Sequence, residues 1–159
     1  MPRRLRGVLL VLLVAGLAGC DQVSKGLAEH GLSDGPKTLI SGVLELRYTQ
    51  NPGVAFSLLR DVPSATRRPL VLGLQLLAAG LLFFFVCRKA PETWLARLGC
   101  AAVIGGALGN IIDRLVRGAV VDFIHIRGWP IFNVADVLVL VGVGLLALSM
   151  LRSRQAEAT

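Results

Sequence analysis

Four apolar runs, each closed by charge or proline, constrain this chain more than anything else in it. They are Gly7–Cys20 behind Arg3, Arg4 and Arg6, Leu70–Val86 before Arg88 and Lys89, Leu98–Ile112 between Arg97 and Asp113, and Val134–Leu151 before Arg152 and Arg154. A helix needs about 20 apolar residues to cross a bilayer, so four spans would use roughly 80 of the 159 residues. The composition agrees, with 54% hydrophobic residues, 17% charged residues and a mean hydropathy of +0.68. A soluble domain of this size could not cover so much apolar surface. The expectation is an all-α integral membrane domain over residues 1–159, with four transmembrane helices near 7–24, 69–87, 96–113 and 133–151.

Charge then sets orientation. With the N-terminus inside, residues 1–7, 87–97 and 152–159 are cytoplasmic and hold eight of the 17 Lys and Arg with only Glu92 and Glu157. Short basic loops of this kind stay on the cytoplasmic side. Both termini are then cytoplasmic, residues 25–68 and 114–132 lie outside, and the net charge of +7 calls for no nucleic-acid partner. In the first outer segment, Thr38–Ile40 and Val43–Tyr48 alternate around Ser41-Gly42, which predicts a β-hairpin. A short surface helix is expected over the following stretch, near Pro63–Arg68.

The three cysteines do not form a disulfide framework, because Cys20 lies at the outer end of the first span and Cys87 and Cys100 lie near the inner face. Leu17-Ala18-Gly19-Cys20 also matches a lipobox, so a lipoprotein lipidated at Cys20 is one alternative reading. Three further spans argue against it.

Charged groups at membrane depth are costly and persist mainly where they face a bundle interior. Asp21 and Lys25 stand at i and i+4, acid first, the favourable order for a helical ion pair. Gly106, Asn110, Asp113 and Arg114 fall at steps of three and four on the third span, while Gly105 and Gly109 allow another helix to approach closely. Asp113 has Arg117 four residues on as a candidate partner. Two acids lack an obvious local partner: Asp122 within Val120-Val121-Asp122-Phe123-Ile124, and Asp136 on one face with Asn133 at the start of the fourth span. If the intervening residues fold them together, one carboxyl keeps its proton, and the pair holds both a base to activate water and an acid for a scissile carbonyl. Spacing alone leaves open two separate interfacial acids.

Taken in order, Asp21-Gln22-Val23-Ser24-Lys25, Thr49 to Ser57 (TQNPGVAFS), Gly105 to Arg114 (GGALGNIIDR), Gly118 to Ile124 (GAVVDFI) and Phe132-Asn133-Val134-Ala135-Asp136 resemble the lipoprotein signal peptidases, the type II signal peptidases of bacteria. The resemblance implies an aspartic endopeptidase at the outer face of the cytoplasmic membrane, cutting prolipoprotein signal peptides just before a diacylglyceryl-modified cysteine. It implies Asp122 and Asp136 as the catalytic pair and Asn51 and Gly53 as part of the substrate site. Asn110, Arg114 and Asn133 would bond around the pair, with Asp21, Lys25, Asp113 and Gly106 in support. It further implies a small extracytoplasmic sheet, a lipid setting, sensitivity to globomycin-like inhibitors, a monomer, and neither metal nor cofactor.

Other chemistries fit poorly. There is no His-Glu-x-x-His pair, and His30 and His125 stand far apart in sequence. Ser24 beside Lys25 points about 100° away from it on a helix. A small four-helix proton-coupled transporter using Asp136 or Asp21 is the competing reading from another class.

Overall fold

Lipid offers a backbone no hydrogen bonds, so each apolar run satisfies its own as a helix. A computed structural model describes residues 2–52, 63–89 and 93–157. In chain order its elements are α1 (Arg3–Gly31), β1 (Lys37–Ile40), β2 (Leu44–Asn51), α2 (Ser64–Lys89), α3 (Trp94–Val116), β3 (Val120–Ile126) and α4 (Val134–Glu157). Three of these helices carry stretches long and apolar enough to cross a membrane: Arg4–Gly31, Trp94–Val116 and Val134–Ala156. In α2 the apolar helical stretch is Pro69–Leu81. Each helix outruns its apolar run, because nothing in the sequence breaks it there. α1 continues eleven residues past Cys20, and that extension carries Asp21 and Lys25.

The burial pattern is inverted relative to a soluble protein. Asp21, Lys25, Asp113 and Asn133 are each 0% exposed, whereas Val11, Leu12 and Leu140 are 68%, 62% and 75% exposed. Outward-facing apolar rows on several helices would be heavily penalised by water. They are at home in lipid, and the chain is a multi-pass membrane protein.

α3 is the central element, packed against α1, α2 and α4. Glycine makes two of those contacts possible. A Cβ at Gly105 would lie 2.8 Å from Leu17 Cβ of α1, and one at Gly99 would lie 2.8 Å from Leu146 Cγ and 2.9 Å from the Gly142 carbonyl of α4. Without hydrophobic pressure between helices, such close backbone approach supplies the packing. Ahead of Cys20, Val14 and Leu17 of α1 lie against Gly105 of α3.

The expected hairpin forms, with β1 antiparallel to β2 and Gly42 at φ +72° in the turn. β3 adds a third antiparallel strand beside β2, where the sequence predicts only outer segment. Its five-residue apolar stretch holds a single acid, too little alternation to declare a strand. Val121 and Phe123 pack on Ala28 and Leu32 at the end of α1, so the period of two turns Asp122 to the other face. The separate surface helix is not what the structure forms where it describes that stretch. Residues 64–68 are the opening turns of α2, and Pro69, inside the helix, removes one backbone donor without ending it. The earlier part of the stretch, residues 53–62, lies outside the described residues.

Candidate active site

Asp122 and Asp136 are brought together by the way the chain returns from β3 to α4. Gly128, at φ +82°, turns the chain after Ile126. Phe132 then bridges back to Ile124, its N–H donating to the Ile124 carbonyl at 3.0 Å. Asn133 follows at once and is positioned to start α4. Its side-chain Oδ1 accepts from the Asp136 N–H at 3.0 Å, while Asp136 Oδ2 accepts from the Asn133 N–H at 3.3 Å. This is a reciprocal capping box, with aspartate in the place usually held by Glu or Gln. Asp136 thus occupies the first turn of a helix, where the macrodipole favours negative charge.

The same Asn133 reaches the other acid: its Nδ2 donates to Asp122 Oδ1 at 2.7 Å. Asn51 lies diagonally across β2 from Asp122, on the same face of the sheet, and its Nδ2 donates to Asp122 Oδ2 at 3.0 Å. Asn110 of α3 donates through Nδ2 to Asp136 Oδ1 at 3.0 Å. Three asparagine amides from three elements therefore hold the two carboxylates in one group.

The two acids differ in environment. Asp122 is 4% exposed, while Asp136 is exposed. Burial pushes the Asp122 carboxyl up to about 6, against the hydrogen bonds from Asn51 and Asn133 and the Lys25 charge, and with help from the neighbouring Asp136 carboxylate. A carboxyl that keeps its proton toward neutral pH, beside a second carboxylate open to water, can donate a proton at one point and accept one at another.

Behind this group sits a denser ionic cluster. Lys25 Nζ spends its three donors on Asp21 Oδ2 at 2.7 Å, Asp113 Oδ2 at 2.9 Å and Asn110 Oδ1 at 2.9 Å. Because Lys only donates, it fixes which end of the Asn110 amide faces it and so turns Nδ2 toward Asp136. Asp21 Oδ1 accepts from the Ala135 N–H at 2.8 Å, satisfying another open donor at the start of α4. Asp113 joins Arg117 Nη1 at 2.7 Å, Gln22 Nε2 at 3.0 Å and the Val121 N–H at 3.0 Å, tying the end of α3 to β3. The Arg117 contact is the i, i+4 pairing that the sequence predicts for Asp113, whereas the part played by Gln22 is not predicted by it. The available signal was a polar face on α1 continuing past Cys20.

The remaining expected residues divide. Arg114 points away from Asp113, toward α2, where its Nη1 donates to Gln75 Oε1 at 2.8 Å. The shared face read from the sequence splits there, as adjacent helical residues must. Gly106 lies at the crossing of α3 and α4, where an added Cβ would strike the Ala135 carbonyl. Gly53 lies outside the described residues. Ser24 bonds its own helix at the Asp21 carbonyl, 2.7 Å away. On the sheet, His125 bonds Glu45 at 2.8 Å and, together with Arg47, holds that carboxyl below its ordinary value.

Fold and site together define a class: a small multi-pass membrane protein whose polar chemistry gathers at one end of its helices and beneath a small sheet. Comparison with known proteins gives the family. The model of the signal peptidase II family matches residues 12–152. The chain is 37% identical over 145 residues to the lipoprotein signal peptidase of Moorella thermoacetica, covering 91% of each chain. It is 40% identical over 146 residues to that of Xanthomonas euvesicatoria, covering 89% of this chain and 83% of the other. A bacterial membrane enzyme solved by the in meso method at 2.3 Å resolution shares the fold, with a TM-score of 0.77 and 24% identity over 92% of this chain and 89% of that one. This chain belongs to the signal peptidase II family.

Proposed function

We propose that Asp122 and Asp136 are the catalytic dyad with which this signal peptidase removes the signal peptides of prolipoproteins. The observation that carries the reading is the joining of these two acids, 14 positions apart in sequence, through Asn133 and Asn110 in one hydrogen-bonded group. Asp136, exposed and at a helix N-terminus, takes a proton from water. Asp122, buried and proton-retentive, donates to the scissile carbonyl oxygen. Water oxygen bonds to the carbonyl carbon, giving a tetrahedral intermediate. Asp136 then protonates the leaving amine as the C–N bond breaks, and Asp122 recovers its proton from the hydroxyl that becomes the new carboxyl. Neither step requires a covalent enzyme intermediate.

Asn51, Gly53 and Arg114 serve the substrate, Asn110 and Asn133 hold the dyad, and Gly106 lets α3 and α4 meet closely. The substrate is cut before its diacylglyceryl-cysteine, at the outer face of the cytoplasmic membrane. α2 is the fourth span, and both termini are cytoplasmic. The protein works as a monomer in membrane lipid, and globomycin-like cyclic peptides compete for the site. The test is to supply a diacylglyceryl-modified prolipoprotein and follow its mobility on a gel. Asp122→Asn and Asp136→Asn should each leave it uncut while accumulating normally in the membrane. Cleavage at the wild-type rate by either variant rejects the dyad, and proton-coupled flux without proteolysis would restore the transporter.

A further inference from the structure

Gln75 is the one polar side chain in the apolar run Leu70–Val86. An amide in such a helix is unfavourable unless it is hydrogen-bonded, and here it is bonded to a cation. Its Oε1 accepts from Arg114 Nη1 at 2.8 Å, across the contact between α2 and α3. Arg114 Nη1 also lies 3.3 Å from the Asn110 carbonyl one turn back. A guanidinium is planar and presents its donors in a rigid fork, so pinning one nitrogen sets the direction of the rest. Arg114 lines a recess of about 110 Å³ together with Pro52, Pro69, Val71, Leu72 and Gly118. It lies within electrostatic reach of both Asp122 and Asp136.

We propose that Gln75 is a positioning residue for substrate binding: it aims the Arg114 guanidinium into this recess, and so sets how tightly the peptide backbone is held beside the dyad. The inference rests on Arg114 being a substrate contact. It does not depend on which groups carry out the proton transfers.

Substitutions at position 75 separate positioning from a structural role, because the two predict opposite orders. Leu is the better residue for an apolar membrane helix and Glu the worse, so a structural role makes Gln75→Leu harmless and Gln75→Glu damaging. A positioning role reverses this, since Glu keeps an acceptor for Arg114 and Leu does not. With a diacylglyceryl-modified prolipoprotein peptide in detergent micelles, Gln75→Leu and Gln75→Met should each raise KM about tenfold, the loss of one charge-assisted hydrogen bond, with kcat within about twofold. Gln75→Glu should recover most of that loss. Adding Gln75→Leu to Arg114→Lys should raise KM no further than Arg114→Lys alone. Wild-type KM in the Leu and Met variants, an equal loss in Gln75→Glu, or an additive double variant would overturn the proposal. The dyad is tested separately: Asp122→Asn and Asp136→Asn abolish turnover, whereas the Gln75 variants alter KM in an otherwise active enzyme.

Discussion

Two groups of acids lie side by side at one end of this protein, and they are built on different terms. Asp21 and Asp113 are fully buried and face Lys25, with Arg117 on the far oxygen of Asp113. Two negative charges meet two positive ones, and the N–H groups of Ala135 and Val121 and the Gln22 amide add further hydrogen bonds to their oxygens. Asp122 and Asp136 are instead held by the amides of Asn51, Asn110 and Asn133 and, at Asp136, by the Asn133 N–H of the capping box. Amides orient a carboxylate without neutralising it. The first group is therefore a closed ionic joint between α1, α3, β3 and α4, and in the second the buried Asp122 carboxyl holds its proton toward neutral pH. The same residue type serves as scaffold in one place and, on the function proposed above, as reagent in the other, and the partners decide which.

The comparison is easiest to break at its extremes. Asp122→Asn and Asp136→Asn should each lower the rate of prolipoprotein cleavage by at least about a thousandfold, with unchanged membrane accumulation on an immunoblot. Loss of accumulation would make these acids structural like their neighbours. Lys25→Met should do the reverse, acting first on folding. It leaves Asp21 and Asp113 as buried like charges, so the expected cost is about 3–5 kcal/mol, read as a large drop in melting temperature or folded yield in detergent. A Lys25→Met protein of normal stability but no activity would move this cluster into the catalytic machinery.

A finer test uses pH. Burial raises the Asp122 carboxyl from the ordinary 3.8 of an aspartate to about 6, so its proton is lost as pH rises through about 6. If the dyad needs that proton, cleavage declines on the alkaline side. The Asn51 hydrogen bond lowers this value, so Asn51→Leu should move the alkaline limb of kcat/KM to higher pH; a limb moving downward contradicts the assignment. Folding follows the same sign: with the folded value raised, this group's favourable contribution is complete below about 3.8 and disappears as pH rises through about 6. The smallest effect belongs to Ser24→Ala, which should cleave within about twofold of wild type. Its hydroxyl bonds only the Asp21 carbonyl among the bonds described, and a local helix bond of this kind is replaceable by water or left to the backbone.

Much of this was legible in the residues. Four apolar runs predicted four helices, Ser41-Gly42 marked the hairpin turn, and Asp21 with Lys25 formed the ion pair that their i, i+4 spacing suggested. Close helix approach at Gly105 and Gly109 was equally visible, and an added Cβ at Gly109 would collide with Asp21 itself. These features are local, and their period is written in the chain. Others were not legible. β3 hid inside an apolar stretch, the residue pattern puts Asn133 on one face with Asp136 but does not show that it caps α4, and Gln75 stands out as polar with no partner visible until α2 packs on α3. Asp113 and Arg114, adjacent in sequence, went to opposite neighbours, one to Lys25 and the other to Gln75.

By itself the sequence determined solvent and segment: water is the wrong medium for this chain, helices form where its apolar runs lie, and acids placed among them need partners. Apolar length and charge are additive along a chain, so they can be read without knowing where it goes. Only the tertiary structure decided which acids would be neutralised and which merely oriented. That choice depends on whether a cation or an amide arrives from another element at about 3 Å, here Lys25 of α1 for one pair and Asn51, Asn110 and Asn133 for the other.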